Sequence, residues 1–415
     1  MSILWVVLIS SLSAGKTIYV DDDGPADFNN IQAAIDDCNN GDVIIVAEGT
    51  YFENIHFMGK NITLTSKDLN NPDVVAATII DGNDANSVVT FSGTEDSNCV
   101  LSGFTVTDGN APAGGGIYGN GTLATIEYNV IKDNKSIEFY GGAGICDCDG
   151  LIRNNFINSN HAWGCCGGGR GGGLSECDGI IISNIVWDNH AYAGGGMYRC
   201  NGVIRNNLLV DNKGLYGGAF VLCNGTISNC SVVGNWCVYG ALLHCNGTIK
   251  NCIIWQNGPE TATQIKDCST PTYSCIENWD GGGVGNISYA PCFANIGYWE
   301  LQGTQWFWWD WIDNDGDYHL KSQAGRWDVN EGGWTKDDVT SPCIDAGDPK
   351  SPIGFEPFPN GGIINMGSFG GTREASKSYF GKPPCETIMA GDINGDCKVD
   401  FKDFAIMAFH WLEEH

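Results

Sequence analysis

One nine-residue pattern recurs six times in this chain and restricts its fold more than any other feature. The copies begin at Ile126, Ile152, Ile181, Ile204, Ile227 and Ile249, with apolar residues at positions one and six, Asn at nine, and usually Asn at four. Successive copies start 22 to 29 residues apart, separated by Gly-rich apolar signals such as GGGI at Gly114 to Ile117. A unit this short cannot bury its own apolar face. Copies must stack, each coil adding short parallel strands to one continuous core. Leucine-rich repeats share the period but need Leu-rich strands and helical returns, whereas Val, Ile, Asn and Gly dominate here. The expected fold is therefore all-β, a right-handed parallel β-helix solenoid.

The ninth-position column reads Asn134, Asn160, Asn189, Asn212, Asn235 and Asn257. An inward Asn at a bend can bond backbone groups and the Asn of the next coil, so this column is assigned to structure. At position four, Asn129, Asn155, Asn184 and Asn207 give way to Cys230 and Cys252, which points to a small buried side chain rather than chemistry. A further column, Cys148, Cys177, Cys200, Cys223 and Cys245, precedes Asp-Gly or Asn-Gly. Stacked about 4.8 Å apart with parallel Cβ directions, these thiols suit packing better than disulfides or a converging zinc site.

Upstream, IYVDDDGPADFNNIQAAIDDC reads as a strand, a turn and a short amphipathic helix near Asn30 to Cys38, which covers the open first coil. Roughly ten turns are expected between about 43 and 290. Residues 1–14 read as a secretory leader, placing the mature protein outside the cell or on its surface. No later stretch suits a membrane span. With 49 acidic residues against 21 Lys and Arg, the net charge of -28 disfavours nucleic acid as a partner and favours divalent cations.

The entry segment DDDGPADFNNIQAAIDDCNNGDVIIVAEGTYFENI, with GNISYAPCF from Gly285, GDYHLKSQAGRW from Gly316 and SPCIDAGDP from Ser341, resembles the pectin-lyase-like β-helix superfamily. That resemblance covers nearly the whole chain. It implies a polysaccharide as substrate or ligand, and among possible activities a polysaccharide lyase. The Asn-Thr-Asp, Asp-Asp and Arg-Ile-Lys signatures of polygalacturonases do not appear.

Aligned coils offer three outward groups. Glu127, Arg153, Ile182, Arg205, Ser228 and Lys250 form one column, in which Arg153 and Arg205 can stabilise a carbanion. Lys135, His161, His190 and Lys213 form a strip after the Asn ladder, with Asp133, Asp188 and Asp211 two positions earlier. His161, His190 or Lys213 is then the candidate base for β-elimination. The extended turn from His161 to Gly173 adds Trp163 and Arg170 beside it. Asp147, Glu176 and Arg199 form the third group, whose carboxylates suit glycoside hydrolysis. Noncatalytic glycan binding or surface adhesion remains an alternative to both reactions. Seven of the 14 tryptophans fall between Trp299 and Trp334, read as a cap on the last coil.

After the solenoid and its caps over 15–371 and a linker over 372–388, the segment 389–415 carries a calcium pattern. Asp392, Asn394, Asp396, Lys398, Asp400 and Asp403 occupy positions 1, 3, 5, 7, 9 and 12 of an EF-hand-like loop, with Lys398 offering its carbonyl. Phe404, Met407, Ala408 and Trp411 then line one helical face. This resembles a single type I dockerin repeat, which implies calcium as cofactor and a cohesin-like or cell-surface scaffold as partner. Cys397 stands where the loop usually has Gly, and a full dockerin has two repeats.

Overall fold

The computed structural model describes residues 15–137, 141–164, 168–258, 263–301, 309–313 and 316–379, with Phe401 and Phe404. Its body is a parallel β-solenoid. A first sheet of ten strands runs from Thr17–Val20 to Thr248–Lys250, and a second of ten from Gly49–Phe52 to Cys275–Ile276. A third sheet of nine runs from Ile55–His56 to Ile265–Lys266. In the middle coils a short sheet of five lies between the second and third, formed by Asn110–Ala111, Lys135–Ser136, His161–Ala162, His190–Ala193 and Lys213–Tyr216. Coiling begins at Thr17, whose strand pairs in parallel with Val43–Val46, earlier than the expected start near 43.

The helix Ile31–Asp37 starts at Asn30, whose side chain accepts from the Ala33 N–H, and buries Ile31, Ala34 and Ile35 against the first coil. A second helix, Pro72–Ala77, was not expected from the apolar pattern, although Asn71 as cap and Pro72 in the first turn are its signals. Inside the solenoid, Ile126, Ile152, Ile181, Ile204, Ile227 and Ile249 stack in the first sheet, and Ile131, Ile157, Val186, Leu209, Val232 and Ile254 in the second. The apolar residues at positions one and six are thus the core.

The Asn columns hold the corners. Asn189 donates through Nδ2 to Ile157 O (2.8 Å), Trp187 O (3.0 Å) and Asn212 Oδ1 (3.0 Å), while its Oδ1 accepts from the N–H and side chain of Asn160. Each ladder Asn follows a residue with positive φ, here Asp188 at 48°, so the bend and the bond form together. Cys can replace Asn because its thiol keeps one of these bonds. Asn207 donates to the carbonyl two residues back (Arg205, 3.0 Å), and Cys230 does the same to Ser228 (3.4 Å). The Cys148-to-Cys245 column behaves alike and continues to Cys268, and none of the described cysteines is bridged.

Of the Trp-rich region read as a cap, residues 302–308 lie outside the described residues, and the described C-terminal residues pack beside the second sheet. Phe293, Trp311, Tyr318, Leu320, Cys343, Ile344 and Met366 form a second core with Val210, Val233, Ile253 and Cys275, which face outward from the second sheet. The segment therefore lies along the solenoid's flank. The physical reason is that the second sheet's outer face turns apolar after Trp187 and must be covered. Trp311 rests on Gly234, where a Cβ would stand 2.3 Å from the indole. Asn206 and Asn229 donate to Ser368 O and Asn365 O, and Lys250 pairs with Asp348 at 3.4 Å.

Candidate functional site

The strip Lys135, His161, His190 and Lys213 lies in register on the short sheet, each residue directly opposite the next. The turn that creates it is the same in every coil: a positive-φ residue, an inward Asn, then an outward side chain. Adjacent imidazoles result, with His161 and His190 ring centroids 4.5 Å apart. On its far side His161 is stacked with Trp163 at 5.8 Å, and that indole is 65% exposed. Burial, and next the neighbouring His190, push the His161 pKa down to about 4. His161 is accordingly neutral at physiological pH.

His190 is tied to a carboxylate. Its Nε2 lies 2.9 Å from Asp188 Oδ1, and Ser159 donates to Asp188 Oδ2 at 3.3 Å. The same Asp188 Oδ1 is 3.3 Å from Lys213 Nζ. Lys213 also has Asp211 at 3.6 Å and, from the C-terminal segment, Asp310 at 3.6 Å. One ammonium cannot neutralise three carboxylates, and the site divides the charge unequally. Asp188 is held below the usual carboxylate range: burial opposes this, but hydrogen bonds and charge from His190 and Lys213 outweigh it. Burial pushes Asp211 up to about 8, with Asp188 and Asp310 adding to the rise. Lys213 is raised, since the carboxylates outweigh its burial, and stays a cation.

The other candidate residues lie elsewhere. Arg153 and Arg205 are on the first sheet, each opposite Ile182, so they sit two coils apart as the alignment implied. Arg153 pairs with Glu127 of the preceding coil. The second sheet separates both arginines from the strip along the chain, so the two groups are not brought together. Lys135 pairs with Asp84 at 3.0 Å.

Asp147 and Glu176 do share a groove of about 550 Å³, together with Asp149, Asp178 and Arg199. Glu176 pairs with Arg199 at 3.3 Å, while burial and then Asp149, Glu176 and Asp178 raise Asp147. An outer Asx ladder fixes these corners. Asp149 accepts from the Asp178 N–H and Asp178 from the Asn201 N–H, both at 2.8 Å.

Sequence reasoning missed Asp310, because it reaches Lys213 from a segment far along the chain. It also missed a tyrosine stack on the same short sheet and the turn after it, where Tyr192, half-buried Tyr216 and Tyr239 follow one another at 5.2 and 4.7 Å. Its signal was an aromatic a few residues after three consecutive ladder positions. The calcium set Asp392, Asn394, Asp396, Lys398, Asp400 and Asp403 lies outside the described residues, as do the leader and Cys397. Among the described residues, Asp21, Asp22 and Asp23 bring carboxylate oxygens within 4.8 Å of one another, and no helix is long and apolar enough to cross a membrane.

Fold and flank together define a parallel β-solenoid with an outward strip of lysine and imidazole side chains. A family model described as "Disaggregatase related" matches residues 310–347, the part of the flanking segment that holds the Asp317–Arg326 pair at 2.7 Å. No curated protein matches the chain. Among solved structures, the crystal structure of pectate lyase Pel9A is similar over 87% of this chain and 97% of that one, with 14% sequence identity and a TM-score of 0.47.

Proposed function

We propose that the solenoid is a carbohydrate-active protein that binds an acidic polysaccharide across the strip of Lys135, His161, His190 and Lys213 and cleaves it by β-elimination. The observation that carries this reading is the Asp188–His190 pair beside Lys213. With Nε2–H donated to Asp188, the Nδ1 lone pair is left to take the proton α to a uronate carboxylate. The electron pair of the broken C–H bond forms the new C=C bond as the glycosidic C–O bond breaks, and the leaving oxygen takes a proton from water. Lys213, fixed by the same carboxylate, suits charge stabilisation of the enolate better than proton abstraction, because its proton is held tightly. Trp163 offers an exposed face for a sugar ring. The C-terminal calcium loop belongs to the same proposal, as a tether to a cohesin-like or cell-surface scaffold. Secretion of the chain completes it.

A second reading, hydrolysis by Asp147 and Glu176, draws support from their shared groove and from the burial that raises Asp147. One experiment separates the readings. Folded protein is incubated with calcium and pectate, alginate, sulfated or neutral glycans, and the products are read by mass spectrometry. Unsaturated oligosaccharides whose release falls about 100-fold or more in His190→Ala support elimination at the strip. Hydrated products abolished by Glu176→Gln move the chemistry to the groove, and binding without cleavage leaves an adhesion protein.

A further inference from the structure

The Asn ladder ends in a second polar structure that the strip does not use. Asn257 donates its Nδ2 to Gln264 Oε1 at 2.8 Å, and Gln264 passes the chain on, donating to Glu277 Oε2 at 3.1 Å. Glu277 also accepts from the Gln256 N–H at 3.0 Å. These residues open into a cavity of about 450 Å³ walled by Trp279 and Trp299, with Asn278 and Asp280 at its edge. That volume lies within the range of small-ligand sites.

Both indoles are anchored by their own N–H groups. Trp279 donates to Gly282 O at 2.7 Å and Trp299 to Gln256 O at 2.8 Å. The loop after Trp279 closes over its ring at Gly281, where a Cβ would meet the indole at 2.5 Å. Ring atoms held this way lose little freedom when a ligand arrives. The side-chain Oε1 of Gln256 is buried and has no hydrogen-bond partner. That atom is shut off from the cavity, so the cavity's polar wall is made by the Glu277 and Asp280 side chains.

We propose that this cavity is a binding site for one or two rings of a neutral sugar, separate from the strip. Sugar hydroxyls donate to Glu277 and Asp280, and the apolar ring faces lie against Trp279 and Trp299. Among the described residues the lining holds two carboxylates and no Lys, Arg or His, so a uronate or sulfated ring is repelled. The cavity and the strip therefore select opposite classes of glycan.

Isothermal titration of the full chain tests this with neutral oligosaccharides (cello-, manno- and xylo-hexaose) beside oligogalacturonate. The expected result is saturable binding of at least one neutral hexaose, weakened tenfold or more by Glu277→Gln and by Asp280→Ala and unchanged by His190→Ala. Trp279→Ala should abolish it. Because Trp279 also packs against the core, the two carboxylate variants carry the test if that protein unfolds. No binding of any neutral hexaose, binding indifferent to all three pocket variants, or preference for oligogalacturonate in the pocket overturns the proposal. Failure here leaves the strip untouched, since the strip is read by acidic glycans and His190→Ala.

Discussion

Two neighbouring outer faces of the same coils have met different fates. On the second sheet, outward positions become Trp187, Leu208 and Val210, Val233, then Ile253 and Trp255, and the chain returns to cover them with its C-terminal segment. On the short sheet next to it, outward positions are Lys135, His161, His190 and Lys213, and the returning segment touches them through Asp310. Backbone and ladder are common to both faces. The difference lies in single outward side chains: apolar ones bring a cover over themselves, and charged ones leave a surface for a partner.

The sharpest way to break this contrast is to charge the covered face. Val233 is 0% exposed although it points away from the solenoid's interior. Val233→Asp buries an unpaired carboxylate and should cost about 4 kcal/mol or more. Limited proteolysis should then release the C-terminal segment while the coils persist. Unchanged protection of the segment would mean that it is held by something other than this apolar seam.

Removing what the two faces share comes next. Asn189→Ala leaves the carbonyls of Ile157 and Trp187 and the amides of Asn160 without their partner, a loss of about 3 kcal/mol. Cys200→Ala removes one weak thiol bond to Tyr198 O, and about 1 kcal/mol is expected. Chemical denaturation ranks the two, and equal losses would deny the Asn ladder its special standing.

A smaller effect is expected at the seam, where Asp211 is pushed up to about 8. Its folded pKa exceeds the ordinary value of 3.8, so between those values the folded protein holds a proton that the unfolded chain has lost. The associated stability is fully present below the lower value and is lost as pH rises through the upper one. Melting temperatures of the wild type should fall relative to Asp211→Asn as pH rises from 5 to about 9. Parallel curves would place the Asp211 proton elsewhere.

Much of this was legible in the residues. The Asn and Cys columns, the helix at the first coil and the row of Lys135, His161, His190 and Lys213 follow from aligning the repeat, because stacking converts sequence spacing into position. The covered flank was legible too and went unread. IVW, LLV, SVV and IIW put apolar residues on both sides of a strand, where an exposed sheet would alternate. Asp310 beside Lys213, and the separation of Arg153 and Arg205 from the imidazoles, depend on where distant segments and whole sheets fall. A local pattern holds no record of either.

The central claim is that the glycan-facing surface is the strip and not the arginine column across the second sheet. Affinity electrophoresis in gels containing pectate or alginate tests it, comparing Lys135→Ala/Trp163→Ala with Arg153→Ala/Arg205→Ala. The account predicts that the first pair loses most of its retardation and the second migrates like the wild type. Retardation lost in the arginine pair and kept in the strip pair would contradict it.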